Sequence, residues 1–195
     1  MRYFFLWAVA ISALCSSCET ADESFSKNNN IPQEVFTTQQ RKVNYYNVYK
    51  SVIDSFTYNE QLSHYNNLLQ FQDHVNSLVP NSTVTEAIDF TQLNALENAD
   101  EQFIDQLSYS TETKMAITAI LNGTFNADML TFISNTHEYD LINTLYAIYS
   151  NGNGNGDDDD DHWKDRRIIA FAYGFQYNIT QAVLYAGAID LMKYA

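Results

Sequence analysis

Positively charged residues are scarce in this sequence. Its 195 residues include 10 Lys and Arg against 24 Asp and Glu, which gives a formal net charge of −14. Proteins that bind nucleic acids rely on Lys and Arg to neutralise backbone phosphates, so the composition argues against a nucleic-acid partner. Apolar residues still make up 46% of the chain. At this length they are sufficient for one domain with a hydrophobic core.

Cysteine is nearly absent. The two cysteines, Cys15 and Cys18, both lie near the N-terminus, so the remaining sequence has no thiol for a disulfide framework or a thiolate metal site. The motifs of common nucleotide-binding and hydrolytic sites are also missing, namely the Walker loop, GxGxxG, GxSxG and HExxH. An enzyme is therefore not indicated, and any catalytic site would have to be assembled from dispersed residues.

The first residues have the order of an export signal. Arg2 supplies a positive charge, and residues 3–14 form an apolar run that is too short to span a bilayer. Ser16 and Ser17 then precede Cys18. This order of charge, apolar run and small residues before a cysteine resembles the signal of bacterial lipoprotein precursors.

The resemblance has several implications. It implies a signal peptide over residues 1–17, lipidation at Cys18 and a lipid anchor in the outer membrane, with the protein facing the periplasm or the cell surface. Residues 18–33 would then form a flexible tether. Cys15 departs from the family's pattern, because it stands where an aliphatic residue is usual. An ordinary cleaved signal peptide and an N-terminal membrane anchor are the alternative interpretations.

Apolar residues recur at helical intervals through the rest of the chain. The third predicted helix opens on a capping box at Thr83 and Glu86, Gly123 would stop the fifth, and the sixth is expected to break near Asn135. The predicted helices cover 34–56, 60–79, 83–96, 100–107, 113–121, 126–149 and 162–194. The sequence therefore predicts an all-α fold, a compact bundle of about six or seven helices in a single domain over 34–195.

The last predicted helix contains a near-continuous apolar run over 168–192. Four polar side chains interrupt this run: Gln176, Asn178, Thr180 and Gln181. Because each of them would be costly in lipid, we expect a buried central helix of the bundle rather than a transmembrane helix.

A segment rich in Asn, Gly and Asp at 151–161 precedes that helix. Its spacing of oxygen-bearing residues resembles the first half of an EF-hand calcium loop, whereas His162 stands where an EF-hand has a bidentate Glu. The segment is open to three interpretations: a specific Ca²⁺ site, weak nonspecific cation binding, and a hydrophilic linker. The candidate ligands are Asn151, Asn153, Asn155, Asp157, Asp159, Asp161 and His162.

The remaining candidate side chains are dispersed. His64, His74 and His137 do not pair in a metal-binding motif, and the many tyrosines are typical of helix interfaces and of binding grooves. We expect a non-enzymatic binding or assembly module in the cell envelope. Its expected partners are the membrane, through the lipid, and an envelope protein, peptide or glycan. The alternatives are a calcium-responsive module and an enzyme with a dispersed histidine–carboxylate site.

Overall fold

The computed structural model describes residues 44–79, 85–151 and 158–195, and of these it describes 158–162 by their backbone alone. They belong to one unit of the chain, Lys42–Ala195. The predicted signal peptide, Cys18 and the predicted tether lie outside the described residues.

Helices account for the regular structure of these ranges, and no strand occurs in them. The prediction of an all-α fold is therefore confirmed. The α-helices are α1 (Tyr45–Ser55), α2 (His64–Leu78), α3 (Phe90–Glu97), α4 (Thr111–Leu121), α5 (Thr136–Asn151), α6 (Asp158–Phe175) and α7 (Ile179–Met192). Two 3₁₀ helices, Glu101–Gln106 and Ala127–Phe132, flank α4.

Polar caps set the beginnings of three helices. Asn44, Ser63 and Ser110 precede α1, α2 and α4 respectively. The side-chain oxygen of each accepts a hydrogen bond from the backbone N–H three residues further on, at 3.1, 3.2 and 3.3 Å. Each cap thereby satisfies a donor that the helix itself leaves unpaired.

The predicted start of the third helix is wrong. The helix begins at Phe90, and Asp89 caps it by accepting from the N–H groups of Thr91 and Gln92 at 2.8 and 3.2 Å. Glu86 instead forms tertiary hydrogen bonds. Its carboxylate accepts from the side chains of Asn178 and Gln181, both at 2.8 Å. A carboxylate with two side-chain donors elsewhere in the fold is not available to close a capping box.

The predicted break in the sixth helix is confirmed. Residues 133–135 separate the second 3₁₀ helix from α5, and Asn135 Oδ1 accepts from the N–H of His137 at 2.9 Å. Gly123 also follows the end of α4 as predicted, with a positive φ of 66°. A glycine takes that conformation at little cost, which suits it to a helix C-terminus.

The prediction of one long final helix is wrong. The apolar segment forms a hairpin of α6 and α7, connected by residues 176–178. Asn178 is extended and caps α7 by accepting from the N–H of Gln181 at 2.8 Å. The polar residues that interrupt the apolar run therefore mark a turn and a helix cap. Gly174 lies where any side chain would collide with the backbone of Gln181, so it allows α6 and α7 to pack closely.

The core is organised around α7. Residues 182–191 of this helix are all buried, and α1, α2, α3 and α6 pack against it. Gly187 of α7 faces Phe71 and Ile53, which occupy the space that a side chain would need. None of the helices in the described part of the chain is long and apolar enough to cross a membrane.

A buried carboxylate connects the starts of α4 and α5. Glu138, 9% exposed, accepts from the Ser110 hydroxyl and the Thr113 hydroxyl, each at 2.5 Å, and from the Ser110 N–H at 3.2 Å. Burial acts to raise the pKa of Glu138, but these hydrogen bonds stabilise the ionised form and bring the pKa below its ordinary value. The ionised carboxylate therefore holds the two helix ends together.

Candidate functional site

The residues that the structure describes line three cavities along α1. The largest of the three is the α1–α5 cleft, of about 270 Å³. It is lined by Asn44, Tyr45, Tyr46, Asp140, Asn143, Thr144 and Ala147. Its volume is slightly below the roughly 300–1,000 Å³ of pockets that enclose drug-sized ligands, so the cleft suits a small ligand or one unit of a longer one.

The sequence of α5 explains how one helix serves both the core and the cleft. Leu141, Leu145 and Ile148 are buried in the core. The cleft residues of α5 occur at 140, 143, 144 and 147, which is the spacing of one helix face beside the buried one. The polar residues on this face therefore lie at the edge of the core, accessible from the cleft.

On the opposite wall, α1 contributes aromatic surface. Tyr45 and Tyr46 are partly exposed, and the ring of Tyr45 packs edge-on against Phe175, with centroids 5.3 Å apart. That contact fixes the orientation of Tyr45 before any ligand is present. A tyrosine offers an apolar ring and a hydroxyl that donates and accepts, so this wall can contact apolar and polar parts of the same ligand.

The second cavity, the Arg167 cavity, continues from the cleft. It has a volume of about 140 Å³ and shares Tyr46 with the cleft. Lys50, Asp54 and Asn151 line it together with the buried group of Tyr49, Arg167 and Asp190. Tyr46 therefore separates a cleft with mainly neutral polar donors and acceptors from a cavity that contains charges of both signs.

The buried group at this cavity is a hydrogen-bonded ion pair. Arg167 Nη1 donates to Asp190 Oδ1 at 2.9 Å, and the Tyr49 hydroxyl donates to Asp190 Oδ2, also at 2.9 Å. Both oxygens of Asp190 are thus occupied. The Nε of Arg167 is buried and has no hydrogen-bond partner among the described residues.

Electrostatics keep Tyr49 and Arg167 each in one protonation state. Burial raises the pKa of Tyr49 well above its ordinary value, and the negative charge of Asp190 acts in the same direction. Burial alone would lower the pKa of Arg167, but the neighbouring carboxylate raises it. Tyr49 is consequently a neutral hydrogen-bond donor and Arg167 a cation throughout the physiological range. Neither group is suited to exchange protons with a ligand near neutral pH.

A third cavity, of about 100 Å³, also borders Asp190. It is lined by Ile53, Phe56, Tyr58, Phe71, Gly187, Asp190, Leu191, Lys193 and Tyr194. Asp190 therefore borders two of the three cavities from a buried position.

The structure places the three histidines considered above in separate surroundings. His64 contacts Tyr58 and Met192, His74 lies beside Ser55, and His137 stacks on Phe175. None of the three lines any of the cavities along α1. Within the described ranges, no group of three or more His, Cys, Asp or Glu side chains could hold a metal ion.

The candidate calcium ligands fall at and between two helix ends. Asn151 is the last residue of α5, and its Nδ2 donates to the Ala147 carbonyl at 2.8 Å. Asp159, Asp161 and His162 belong to the backbone of α6, which begins at Asp158. Asn153, Asn155 and Asp157 lie outside the described residues, as does Cys18.

Sequence reasoning missed the group of Tyr49, Arg167 and Asp190. These residues come from three helices, and no motif relates them. One signal was present: Asp190 is the only charged residue in the apolar segment 168–192. A lone carboxylate in such a segment requires a buried partner.

Comparison with protein-family models, with curated proteins and with solved structures finds no match to this chain.

Proposed function

We propose that this chain is a lipid-anchored protein of the bacterial cell envelope whose helical domain binds a short glycan in the α1–α5 cleft. The observation that carries the proposal is the composition of the cleft. Two tyrosines on α1 face an amide, a carboxylate and a hydroxyl on α5. No chemical step on the ligand is part of the proposal.

The chemistry of the cleft suits a sugar. A sugar ring has C–H surfaces that pack against aromatic rings, and hydroxyls that both donate and accept hydrogen bonds. Tyr45 and Tyr46 provide the rings, while Asp140 and Asn143 provide acceptors and a donor. A partly exposed cleft of this kind orients a ligand through a few polar groups, and neighbouring apolar surface adds affinity.

The sequence of the first 18 residues supports the cellular setting. Arg2, the apolar run over 3–14 and the small residues before Cys18 resemble a lipoprotein signal. A protein anchored in this way encounters envelope glycans at high local concentration, so even a weak site is populated.

Thermal melts test the cleft. We would melt the form that starts after Cys18 with soluble oligosaccharides from bacterial peptidoglycan and, separately, with stem peptides. A glycan present at a hundred times its dissociation constant stabilises the fold by about 2.7 kcal/mol, which raises Tm by several degrees at this size. Tyr46→Ala and Asn143→Ala should lose most of that shift.

Tyr146→Ala provides the matched control. Tyr146 lies on α5, is 46% exposed and packs on Phe125 rather than in the cleft. It should retain the full shift. An equal loss in Tyr146→Ala, or a rise of Tm with peptides and not with oligosaccharides, would contradict glycan binding in the cleft.

Metabolic labelling with a palmitate analogue tests the anchor. In a bacterial host, the full chain and Cys15→Ser should incorporate the label, whereas Cys18→Ser should not. Label retained by Cys18→Ser would overturn lipidation at Cys18. If the full chain took up no label, the lipid anchor would be removed from the proposal, and the glycan site would rest on the melts alone.

The calcium-responsive alternative remains a prediction for residues 151–162. Melts in EDTA, Mg²⁺ and Ca²⁺ decide it, because a calcium-selective rise in Tm that disappears when 157–161 are deleted requires a specific site.

A further inference from the structure

His64 and Met192 meet where α2 begins and α7 ends. The Nε2 atom of His64 lies 3.1 Å from the Sδ atom of Met192. Both side chains are partly exposed, so an ion in solution can reach them. The contact joins residues 128 positions apart in the chain, and it lies outside the three cavities described above.

Tyr58 determines which atom of the imidazole carries its proton. The Tyr58 hydroxyl lies 3.2 Å from His64 Nδ1 and 3.4 Å from the Tyr194 carbonyl oxygen. When the hydroxyl donates to that carbonyl, its oxygen accepts from Nδ1–H, and Nε2 presents a lone pair towards the sulfur. When it donates to Nδ1 instead, Nε2–H forms a weak hydrogen bond to the sulfur.

The first arrangement places two electron-pair donors side by side. An imidazole nitrogen and a thioether sulfur both bind soft metal ions, and the thioether in particular selects Cu(I) over Mg²⁺ or Ca²⁺. We propose that His64 and Met192 form a binding site for a soft monovalent cation of the Cu(I) type. Tyr58 is a positioning residue that fixes the imidazole by accepting from Nδ1–H, as outer partners of metal-bound histidines do.

The geometry requires only a small adjustment. With metal–nitrogen and metal–sulfur bonds of about 2.0 and 2.3 Å, a trigonal ion would hold the two donors about 3.7 Å apart. The sulfur would therefore move by roughly 0.6 Å, which the three rotatable bonds of methionine allow. Met192 is the last residue of α7 and only partly buried against the core, so the movement is confined to the end of that helix.

The ionisation of His64 is compatible with this role. Burial lowers the pKa of His64 below its ordinary value, although the charge of Glu97 acts in the opposite direction. Burial therefore favours the neutral imidazole, which is the form whose lone pair can bind a metal ion.

Methionine methyl NMR with Ag(I), a redox-stable analogue of Cu(I), tests the site. We would use the full chain with Cys15→Ser and Cys18→Ser, because either thiol would otherwise capture the ion. The four methionines give separate signals when their methyl groups are labelled with ¹³C. Ag(I) should shift the Met192 methyl signal with saturation at one equivalent, and Zn²⁺ and Ca²⁺ should leave it in place.

Matched variants connect the shift to this pair. His64→Gln and Tyr58→Phe should each weaken Ag(I) binding by at least about tenfold, since even the loss of an outer partner has an effect of this size. His137→Gln should bind as the parent does, because His137 stacks on Phe175 away from the site. The methyl signals of Met115 and Met129 report whether each variant is folded. An unshifted Met192 signal, or equal Ag(I) affinity in folded His64→Gln, would overturn the proposal.

Discussion

Two helices of this fold, α7 and α1, differ in how much of their surface is buried. In α7, residues 182–191 are all buried, so packing decides almost every side chain, including a glycine at 187. In α1, Tyr49 and Val52 are the two buried residues, and the other positions are at least partly exposed. The buried helix α7 therefore provides stability, whereas α1 retains exposed surface that can contact a ligand.

The two helices are coupled at one point. Tyr49 of α1 donates to Asp190 of α7, which also pairs with Arg167 of α6. The carboxylate is thus part of the buried helix and also borders a cavity of the exposed one. Three predictions test this division and one tests the connection between α4 and α5. They are ordered from the largest expected effect to the smallest.

Removing the charge of Asp190 should have the largest effect. Asp190→Asn leaves the Arg167 guanidinium largely buried without its counter-charge, and breaking a buried ion pair costs about 3–5 kcal/mol. The Arg167 side chain is only 17% exposed, so water relieves only a small part of this cost. Urea unfolding measures it. The double variant Arg167→Met/Asp190→Leu should recover most of the loss, and a double variant as unstable as the single one would contradict the account.

Truncation of a buried side chain in α7 should cause the next largest loss of stability. Leu184 is fully buried, and Leu184→Ala should lower the free energy of unfolding by about 2–5 kcal/mol through lost burial and a residual cavity. The measurement is again urea unfolding at pH 7. A loss below about 1 kcal/mol would show that the packing around α7 is looser than the structure indicates.

Acid should weaken the connection between α4 and α5. The pKa of Glu138 is lowered in the folded chain, so the stability it contributes is present above the ordinary carboxyl pKa and is lost as pH falls towards the folded value. Glu138→Gln should cost about 1–3 kcal/mol at pH 7. It should also reduce the dependence of stability on pH below about 4.5. An unchanged pH profile would show that other carboxylates account for the acid sensitivity.

Truncation on α1 should have the smallest effect on stability. Tyr46 is partly exposed and borders two cavities, so Tyr46→Ala should change the free energy of unfolding by about 1 kcal/mol or less. Chemical unfolding of this variant beside Leu184→Ala gives the contrast directly. A loss as large as that of Leu184→Ala would mean that Tyr46 belongs to the core.

Local signals in the sequence predicted much of the fold. Apolar periodicity located α2 and α5, and Gly123 and Asn135 marked the end of one helix and the break before another. The division of the last segment was missed because the second half of α6 and nearly all of α7 are apolar on most faces, so periodicity is weak there. The polar residues at the turn, Gln176 and Asn178, were interpreted as interruptions of one helix.

The candidate site was harder to predict from the sequence than the fold. The tyrosines of α1 were recognised as possible groove residues, but the opposite wall on α5 comes from Asp140, Asn143 and Thr144, almost a hundred positions away. Only tertiary packing brings these walls together. The same holds for Arg167 and Asp190, because the geometry of a hairpin decides which of its residues face each other.

NMR chemical-shift mapping tests the central claim most directly. Peptidoglycan oligosaccharides would be titrated into the ¹⁵N-labelled form that starts after Cys18, and the backbone amides would be followed. The account predicts that the largest changes occur at Tyr46 in α1 and at Asn143 and Thr144 in α5, with residues 182–191 of α7 nearly unchanged. Changes centred elsewhere, or none at saturating glycan, would contradict a binding site in the α1–α5 cleft.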